Sequence, residues 1–298
     1  MSLAIPITKG RVAEPDRILI TGVPKAGKTT FAAGAPEPYI IDVNRGSGNF
    51  DQFTRVQPTT RDQLYEAIDA MPDYCRTLVI DTLGDVERLF FDYICAQAGV
   101  DSIEAVGGGF GKGVTRSVEE WQHLLLYLDK VRARRGCEVI LISHLIITAA
   151  INPTGADYSK YELSVNKKSA PVIYGWCDTI GFADFEGSVN KDDKVSFSGR
   201  RVLRLSRGGF EAGSRYKIPA TLPLEYAAYA AARAEGGFKG PDDLYVEAVR
   251  MANEVGGEKL ADRLAAIEKA RTNANALQKW IDTLRTQLVT NPNQGVAS

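Results

Sequence analysis

The chain has 298 residues and a formal net charge of −1, so no overall basic field draws it to nucleic acid, and any DNA contact must come from local patches. Apolar residues make up 44% of it and charged residues 24%, as is usual for a globular protein. The sequence begins with no apolar signal segment and has no run that approaches a membrane span. Two histidines and four scattered cysteines without a C-x-x-C argue against a zinc site and suit a reducing cytoplasm. We therefore expect a cytoplasmic protein without a membrane partner.

A glycine-rich loop follows the first predicted strand, a β-branched apolar run over residues 17–21. It fits the pattern G-x-x-x-x-G-K-S/T, and a helix is predicted after it, which is the setting of a phosphate-binding loop. Glycines let the backbone N–H groups turn toward an anion, the lysine adds charge at the β- and γ-phosphates, and the threonine hydroxyl can bind Mg²⁺. The alternative is a turn that contains a lysine by chance. The residues predicted to bind ATP are Gly22, Val23, Pro24, Lys25, Ala26, Gly27, Lys28, Thr29 and Thr30.

Short apolar runs then alternate with helical patterns. Strands are predicted over residues 38–43, 77–81 and 138–144, and helices over 61–71, 83–97 and 117–135. Ser117 and Glu120 predict a capping box at the start of the last of these helices. Continuous apolar strands that alternate with helices predict an α/β fold with a mostly parallel central sheet flanked by helices.

The pattern changes after residue 152. A polar loop is predicted over residues 152–170, followed by antiparallel or mixed strands over 178–189, 194–198 and 201–205, with a hairpin turn at 190–193. An alanine-rich helix is predicted from Thr221 to Gly236, and residues 242–288 are almost entirely helix-forming, with a break at Gly256–Gly257. We predict a leader over residues 1–15, a core over 16–222 and a C-terminal helical extension over 223–298, whose last ten residues are frayed.

Polar side chains end the third and fourth predicted strands. Asp81 ends one of them, and a carboxylate at the carboxyl end of a strand near such a loop is typical of Mg²⁺ coordination. The alternative is that Asp81 caps the helix beginning near Leu83. His144 ends the other strand, at the edge where open α/β sheets meet their ligands, which makes it a candidate sensor of the γ-phosphate. The alternative is a histidine satisfied by local contacts.

Five segments together carry a family resemblance: residues 22–33, 40–42, 78–83, 139–144 and 212–219. In order and spacing they resemble phage-encoded RecA-like P-loop ATPases, AAA-domain nucleotide-binding proteins of the single-strand annealing and recombination type. The resemblance covers about residues 15–225. It implies a RecA-like core, ATP and Mg²⁺ as cofactors, and ATP-dependent binding of single-stranded DNA. It also implies a homo-oligomer, as a ring or filament, and allows a single-strand-binding protein as a partner. If the chain is phage-encoded, the compartment is the host cytoplasm.

One position departs from that family. Its second strand usually ends in D-x-E-G, and the glutamate activates the attacking water, whereas this chain has Asn44 at the glutamate position. An amide can orient water but cannot accept its proton. Either ATP hydrolysis is slow, or Asp42 takes the role, or the alignment slips by two residues.

Basic residues farther along the chain are candidates for phosphate and DNA contacts. The resemblance aligns Arg215 with a residue that reaches a phosphate across a subunit interface, with Arg204 and Arg207 as substitutes. The alternative is a solvated hairpin with ordinary charges. Two segments after the third and fourth strands combine basic and aromatic residues as single-stranded DNA sites do, although they could also be flexible surface loops. Their candidate residues are Phe110, Lys112, Arg116, Lys160, Lys167 and Lys168.

An apolar stripe marks the last predicted helix. Leu277, Ile281, Leu284 and Leu288 recur at helical spacing, which predicts packing either on the protein's own core or on a neighbouring subunit.

Two other functions fit the same loop. One is a small-molecule or nucleoside kinase, since P-loops serve these enzymes too. The other is a nucleotide-gated assembly protein with little turnover, which the Asn44 departure favours.

Overall fold

The structure of the protein is a computed structural model that describes residues 15–150, 158–189, 195–236, 241–257, 259–270 and 274–290. They fall into two compact units, one ending at residue 235 and the other built from the helices after residue 240. Among these residues no helix is long and apolar enough to cross a membrane. The predicted leader up to residue 14, the predicted turn at 190–193 and the last eight residues lie outside the described residues.

The first unit is built on a mixed, mostly parallel sheet. Its strands are β1 (Arg17–Gly22), β2 (Pro38–Asp42), β3 (Thr54–Val56), β4 (Thr77–Asp81), β5 (Glu138–Ile142), β8 (Thr179–Val189), β9 (Val195–Arg204), β10 (Gly213–Ser214) and β11 (Thr221–Pro223). In the described part of the chain they are ordered β11-β9-β8-β1-β5-β4-β2-β3, with β10 on β8. Every pairing from β8 through β1 to β3 is parallel, and the β8–β9, β8–β10 and β9–β11 pairings are antiparallel. Two further strands, β6 (Leu145–Ala150) and β7 (Tyr158–Leu163), form a separate antiparallel hairpin.

Helices cover both faces of the sheet. They are α1 (Lys28–Ala33), α2 (Arg61–Asp69), α3 (Leu83–Ala98), α4 (Lys112–Arg135), α5 (Ala170–Trp176) and α6 (Tyr226–Gly236). Successive strand residues point to opposite faces, so Leu19 packs with α2 to α5, while Ile18 and Ile20 pack with α1 and α6. The strands read as continuous apolar runs because both faces are buried. The predicted α/β fold, with a mostly parallel sheet flanked by helices, is confirmed.

Helix α4 corrects one prediction. It begins at Lys112 with Gly111 as its N-cap, and a short 3₁₀ segment over Ile103–Gly108 precedes it. Ser117 therefore lies inside the helix, where it is buried, and Glu120 pairs with Arg61. The predicted capping box at Ser117 is wrong because the helix continues one and a half turns farther toward its N-terminus.

The segment after β5 corrects three more predictions. Residues 158–163 form strand β7, where the sequence predicted a polar loop over 152–170. The strands predicted at 194–198 and 201–205 are the single strand β9, and Thr221 begins strand β11 rather than a helix. These strands owe their conformation to pairing with a neighbouring strand of the sheet or hairpin, which local composition does not report.

The second unit consists of three helices, α7 (Pro241–Val255), α8 (Leu260–Lys269) and α9 (Ala274–Thr290). Three residues of the apolar stripe of α9 are buried inside this unit, because Leu277, Ile281 and Leu284 pack in one cluster with Met251 of α7 and Ile267 of α8. The side chain of Leu288 lies outside the described part of the structure. Of the two alternatives for the stripe, the structure gives packing within the chain.

Candidate functional site

The glycine-rich loop joins β1 to α1 at the carboxyl edge of the sheet. Gly22 and Gly27 have φ angles of 148° and 109°, which L side chains rarely adopt. A Cβ on Gly22 would also lie 2.4 Å from the Ala183 carbonyl oxygen, so the neighbouring strand leaves no room for a side chain. Both glycines of the motif are therefore required by the backbone path of the loop.

Lys28 lies at the start of α1 with its ammonium group against the loop. Its Nζ donates to the carbonyl oxygens of Gly22 and Val23, both at 2.9 Å, and the side chain is buried. Burial lowers the pKa of Lys28, although the negative charge of Asp81 opposes the effect. The loop thus carries one fixed cation at its centre.

Thr29 and Asp81 meet beside that lysine. The Thr29 hydroxyl donates to Asp81 Oδ2 at 2.9 Å, which connects α1 to the end of β4. Burial raises the pKa of Asp81 to about 6, while the hydrogen bond from Thr29 and the charge of Lys28 lower it and Asp42 raises it further. A hydroxyl and a carboxylate are the oxygen ligands that Mg²⁺ takes in such sites, so the pair fits this ion. The N-cap of α3 is Thr82, so the alternative that Asp81 caps this helix is wrong.

His144 follows β5, the strand between β1 and β4. Burial and the nearby Lys28 ammonium lower the pKa of His144, so the neutral imidazole is favoured. Its Nδ1 is buried and has no hydrogen-bond partner among the described residues. Its carbonyl oxygen accepts from the Ser164 N–H at 3.0 Å, just beyond the β6–β7 hairpin. The imidazole is therefore close to the loop lysine, and its backbone is tied to the segment after the hairpin.

Asp42 and Asn44 are both engaged in the turn that follows β2. The Asp42 carboxylate is fully buried and accepts from the Gly46 N–H, from the Ser47 N–H and hydroxyl, and from the Gln57 amide. Asn44 is exposed, and its Oδ1 accepts from the Gly46 N–H at 2.8 Å. Four hydrogen bonds already engage this carboxylate, which suits a structural role for Asp42 better than proton transfer.

Arg215 lies at the opposite edge of the sheet. Its guanidinium pairs with Asp178 at 2.8 Å, and Asp178 in turn accepts from Arg17 at the first residue of β1. Gly22 is five residues along the same strand, which at about 3.3 Å per residue puts the two edges roughly 17 Å apart. Arg215 therefore does not reach the loop of its own chain, and only a second copy could bring it there.

Comparison with known sequence families shows to which family the chain belongs. The family described as an AAA domain matches residues 14–216, about two thirds of the chain. The chain belongs to the AAA domain family. Among solved structures, this AAA domain is similar to one titled "Crystal structure of the RadB recombinase", with 13% sequence identity and a TM-score of 0.38, over 72% of this chain and 90% of that one. A search of curated proteins found no match.

The candidate nucleic-acid residues of the AAA domain come together in part. Phe110 is 99% exposed at the turn before α4, and the Lys112 ammonium donates to the Gly107 carbonyl beside it. A Cβ on Gly111 would lie 3.7 Å from the Lys168 Nζ, so the two predicted segments are neighbours. Arg116 and Lys167 are exposed, whereas Lys160 lies in β7 and pairs with Glu162 at 2.6 Å. We call Phe110, Lys112, Lys167 and Lys168 the Phe110 surface.

Two residues of this AAA domain were not predicted from the sequence. Glu87 of α3 is a buried carboxylate that accepts from Trp121 of α4 and from Asn166 and Ser169, the residues on either side of Lys167 and Lys168. Arg201 of β9 lies against Gly27 of the loop. No sequence motif singles out Arg201, because the pairing of β9 with β8 decides which arginine faces the loop.

Proposed function

We propose that this AAA domain is a RecA-like ATPase that binds ATP and acts with single-stranded DNA in phage-type recombination or annealing. The observation that carries the proposal is the meeting of Lys28, Thr29, Asp81 and His144 at the carboxyl edge of the sheet. These side chains follow the carboxyl ends of three neighbouring strands, β1, β5 and β4, which is where α/β sheets bind their ligands.

The chemistry of each residue follows from its position. Lys28 supplies a positive charge to the β- and γ-phosphates, and the loop N–H groups bind their oxygens. Thr29 and Asp81 would hold Mg²⁺, which neutralises charge on the phosphate oxygens. The neutral His144 imidazole can donate to the γ-phosphate, and its tie to Ser164 gives a route from that contact to the segment carrying Lys167 and Lys168.

The Phe110 surface supports the DNA part of the proposal. An exposed aromatic ring next to lysines matches the way single-stranded DNA is bound, by base stacking and phosphate contacts. The surface is local, which fits a chain whose net charge is −1.

ATP turnover measured with and without single-stranded DNA tests the proposal, with particle size followed in the same samples. We expect DNA to raise the rate and Phe110→Ala to remove the increase without changing basal turnover. Leu126→Ala, which truncates an exposed apolar residue elsewhere on α4, is the matched control. Equal turnover with and without DNA would contradict the DNA role.

A second function is favoured by the turn after β2. Asp42 is saturated with hydrogen bonds and Asn44 cannot accept a proton, so no described side chain of this turn is a free general base. Such a site would bind ATP and hydrolyse it slowly, with the nucleotide acting to assemble subunits. Particles that grow with ATP but release almost no phosphate would favour this function over a DNA-stimulated ATPase.

A further inference from the structure

The β8–β9 hairpin places an arginine against the phosphate-binding loop. From a Cβ built on Gly27, the Arg201 NH1 would be 3.1 Å away and its Cδ 3.3 Å away. Leu224 confines the same spot, with Cδ2 at 3.2 Å, and the guanidinium carbon lies 6.0 Å from the centre of the Phe185 ring. The side chain is thus directed to the loop by its neighbours on both sides.

Arg201 differs from the arginines next to it. Arg200 pairs with Glu186 at 3.2 Å and Arg204 pairs with Asp184 at 2.8 Å, whereas Arg201 makes no ion pair in the described part of the chain. Successive residues of a strand point to opposite sides, so Arg200 and Arg201 cannot both face the loop. Arg201 is also exposed, so its donors are open to a ligand.

The order of the sheet shows which end of a bound nucleotide would meet this arginine. Asp81 and His144 follow β4 and β5 on one side of β1, and they define the metal and γ-phosphate end of the site. Arg201 comes from β9, on the other side of β1. A triphosphate lying along the loop would therefore have its γ-phosphate at the Asp81 side and its nucleoside half at the Arg201 side.

We propose that Arg201 binds the phosphates that ATP and ADP share, from the side of the loop opposite to the metal. Guanidinium suits this role because it is always charged and its N–H groups match phosphate oxygens in pairs. Glycine at position 27 fits this contact, since a Cβ there would push the arginine side chain by a few tenths of an ångström. This inference rests on the proposed nucleotide binding.

Competition binding of ATP and ADP against a fluorescent ATP analogue tests the inference, with the full chain and Mg²⁺. We expect Arg201→Ala to weaken ATP and ADP about equally, by about tenfold each, the size of one charge-assisted hydrogen bond. Arg200→Ala, its neighbour on the same strand, should change either affinity by less than about twofold, in line with an exposed ion pair. Arg201→Lys should recover only part of the loss, because an ammonium lacks the paired donors.

The outcomes separate this inference from the proposed function. If wild type binds no nucleotide, the proposed function fails and Arg201 has no ligand to bind. If wild type binds and Lys28→Ala does not, but Arg201→Ala matches Arg200→Ala, the inference alone is overturned. A loss confined to ATP would also overturn it, because that places the arginine at the γ-phosphate. Thermal unfolding of each variant shows whether the fold is intact.

Discussion

Lys28 is the single cation that the loop itself buries. Its ammonium already donates to the Gly22 and Val23 carbonyl oxygens, so the positive charge is in position before a phosphate binds. We expect Lys28→Ala to weaken ATP binding by about 10- to 100-fold, the value of one or two charged hydrogen bonds. Titration with a fluorescent ATP analogue measures this, with Lys130→Ala, an exposed lysine of α4, as the control. Equal ATP affinity in Lys28→Ala and wild type would show that the loop does not bind the nucleotide.

Asp16 and Asp178 lie at the amino edge of the sheet. Their contributions to the free energy of unfolding should change with pH in opposite directions. Burial raises the pKa of Asp16, although hydrogen bonds from Tyr229 and Tyr216 and the charge of Arg233 lower it. Burial would also raise the pKa of Asp178, but the Arg17 hydrogen bonds and the charges of Arg17 and Arg215 outweigh it, and the net pKa is lowered.

The sign of each contribution follows from these directions. The folded state holds the Asp16 proton more tightly than the unfolded state. The stability that Asp16 contributes is therefore lost as pH rises from about 4 through the raised pKa. Asp178 stabilises the folded state above about pH 4, and this stabilisation is lost as pH falls through the lowered pKa. We expect the unfolding free energy of Asp16→Asn to increase relative to that of wild type as pH rises from 4 to 7. That of Asp178→Asn should approach wild type below pH 4. Urea unfolding across this range measures both, and parallel pH profiles of the two variants would contradict the prediction.

At the scale of elements, Glu87 links three segments through one buried carboxylate. It accepts from Trp121 Nε1 at 3.0 Å, the Ser169 hydroxyl at 2.7 Å and the Asn166 N–H at 2.6 Å. Helix α3, which carries it, begins two residues after Asp81. The carboxylate therefore holds the segment with Lys167 and Lys168 against the helix that follows Asp81.

Removing one acceptor oxygen of that carboxylate should loosen the segment with Lys167 and Lys168 more than it disturbs the phosphate-binding loop. We expect Glu87→Gln to lower stability by about 1–3 kcal/mol, because an amide turns its N–H₂ toward a donor. Single-stranded DNA binding should weaken several-fold while ATP affinity stays within about twofold. Trp121→Phe is the control, since it removes one donor and leaves the two bonds to the segment. If both variants lose DNA and ATP affinity in parallel, Glu87 has only a general structural role.

The elements also show what the sequence could and could not predict. Strands β1, β2, β4 and β5 were predictable because their apolar runs are buried on both faces, and the glycine loop because its chemistry is local. Strand β7 and the start of β11 were not, because they take their conformation from pairing with β6 and β9, and neither segment has an apolar run of its own. Arg201 was not predictable either, because only the pairing of Phe185 with Arg201 decides that this side chain reaches Gly27.

At the scale of the whole molecule, the core has two distinct ends. The nucleotide site lies at the carboxyl edge of the sheet, and Arg215 lies at the amino edge with Asp178. A head-to-tail contact joins different surfaces of successive copies, and it generates rings or filaments. Such a contact would bring Arg215 of one copy to the phosphates of the next, which no arrangement within one chain allows.

Mixing two inactive variants tests this arrangement. Arg215→Ala should keep ATP affinity within about twofold and lose at least about a thousandfold in turnover, as expected when an arginine finger is removed. Its exposed pair with Asp178 contributes at most about 1 kcal/mol, so the fold should remain intact. Lys28→Ala binds ATP weakly but keeps Arg215. Because each variant supplies what the other lacks, their mixture should hydrolyse ATP faster than either alone, and Arg207→Ala should stay active by itself. A mixture no faster than its components, with particles of unchanged size, would show that Arg215 serves only the amino edge of its own chain.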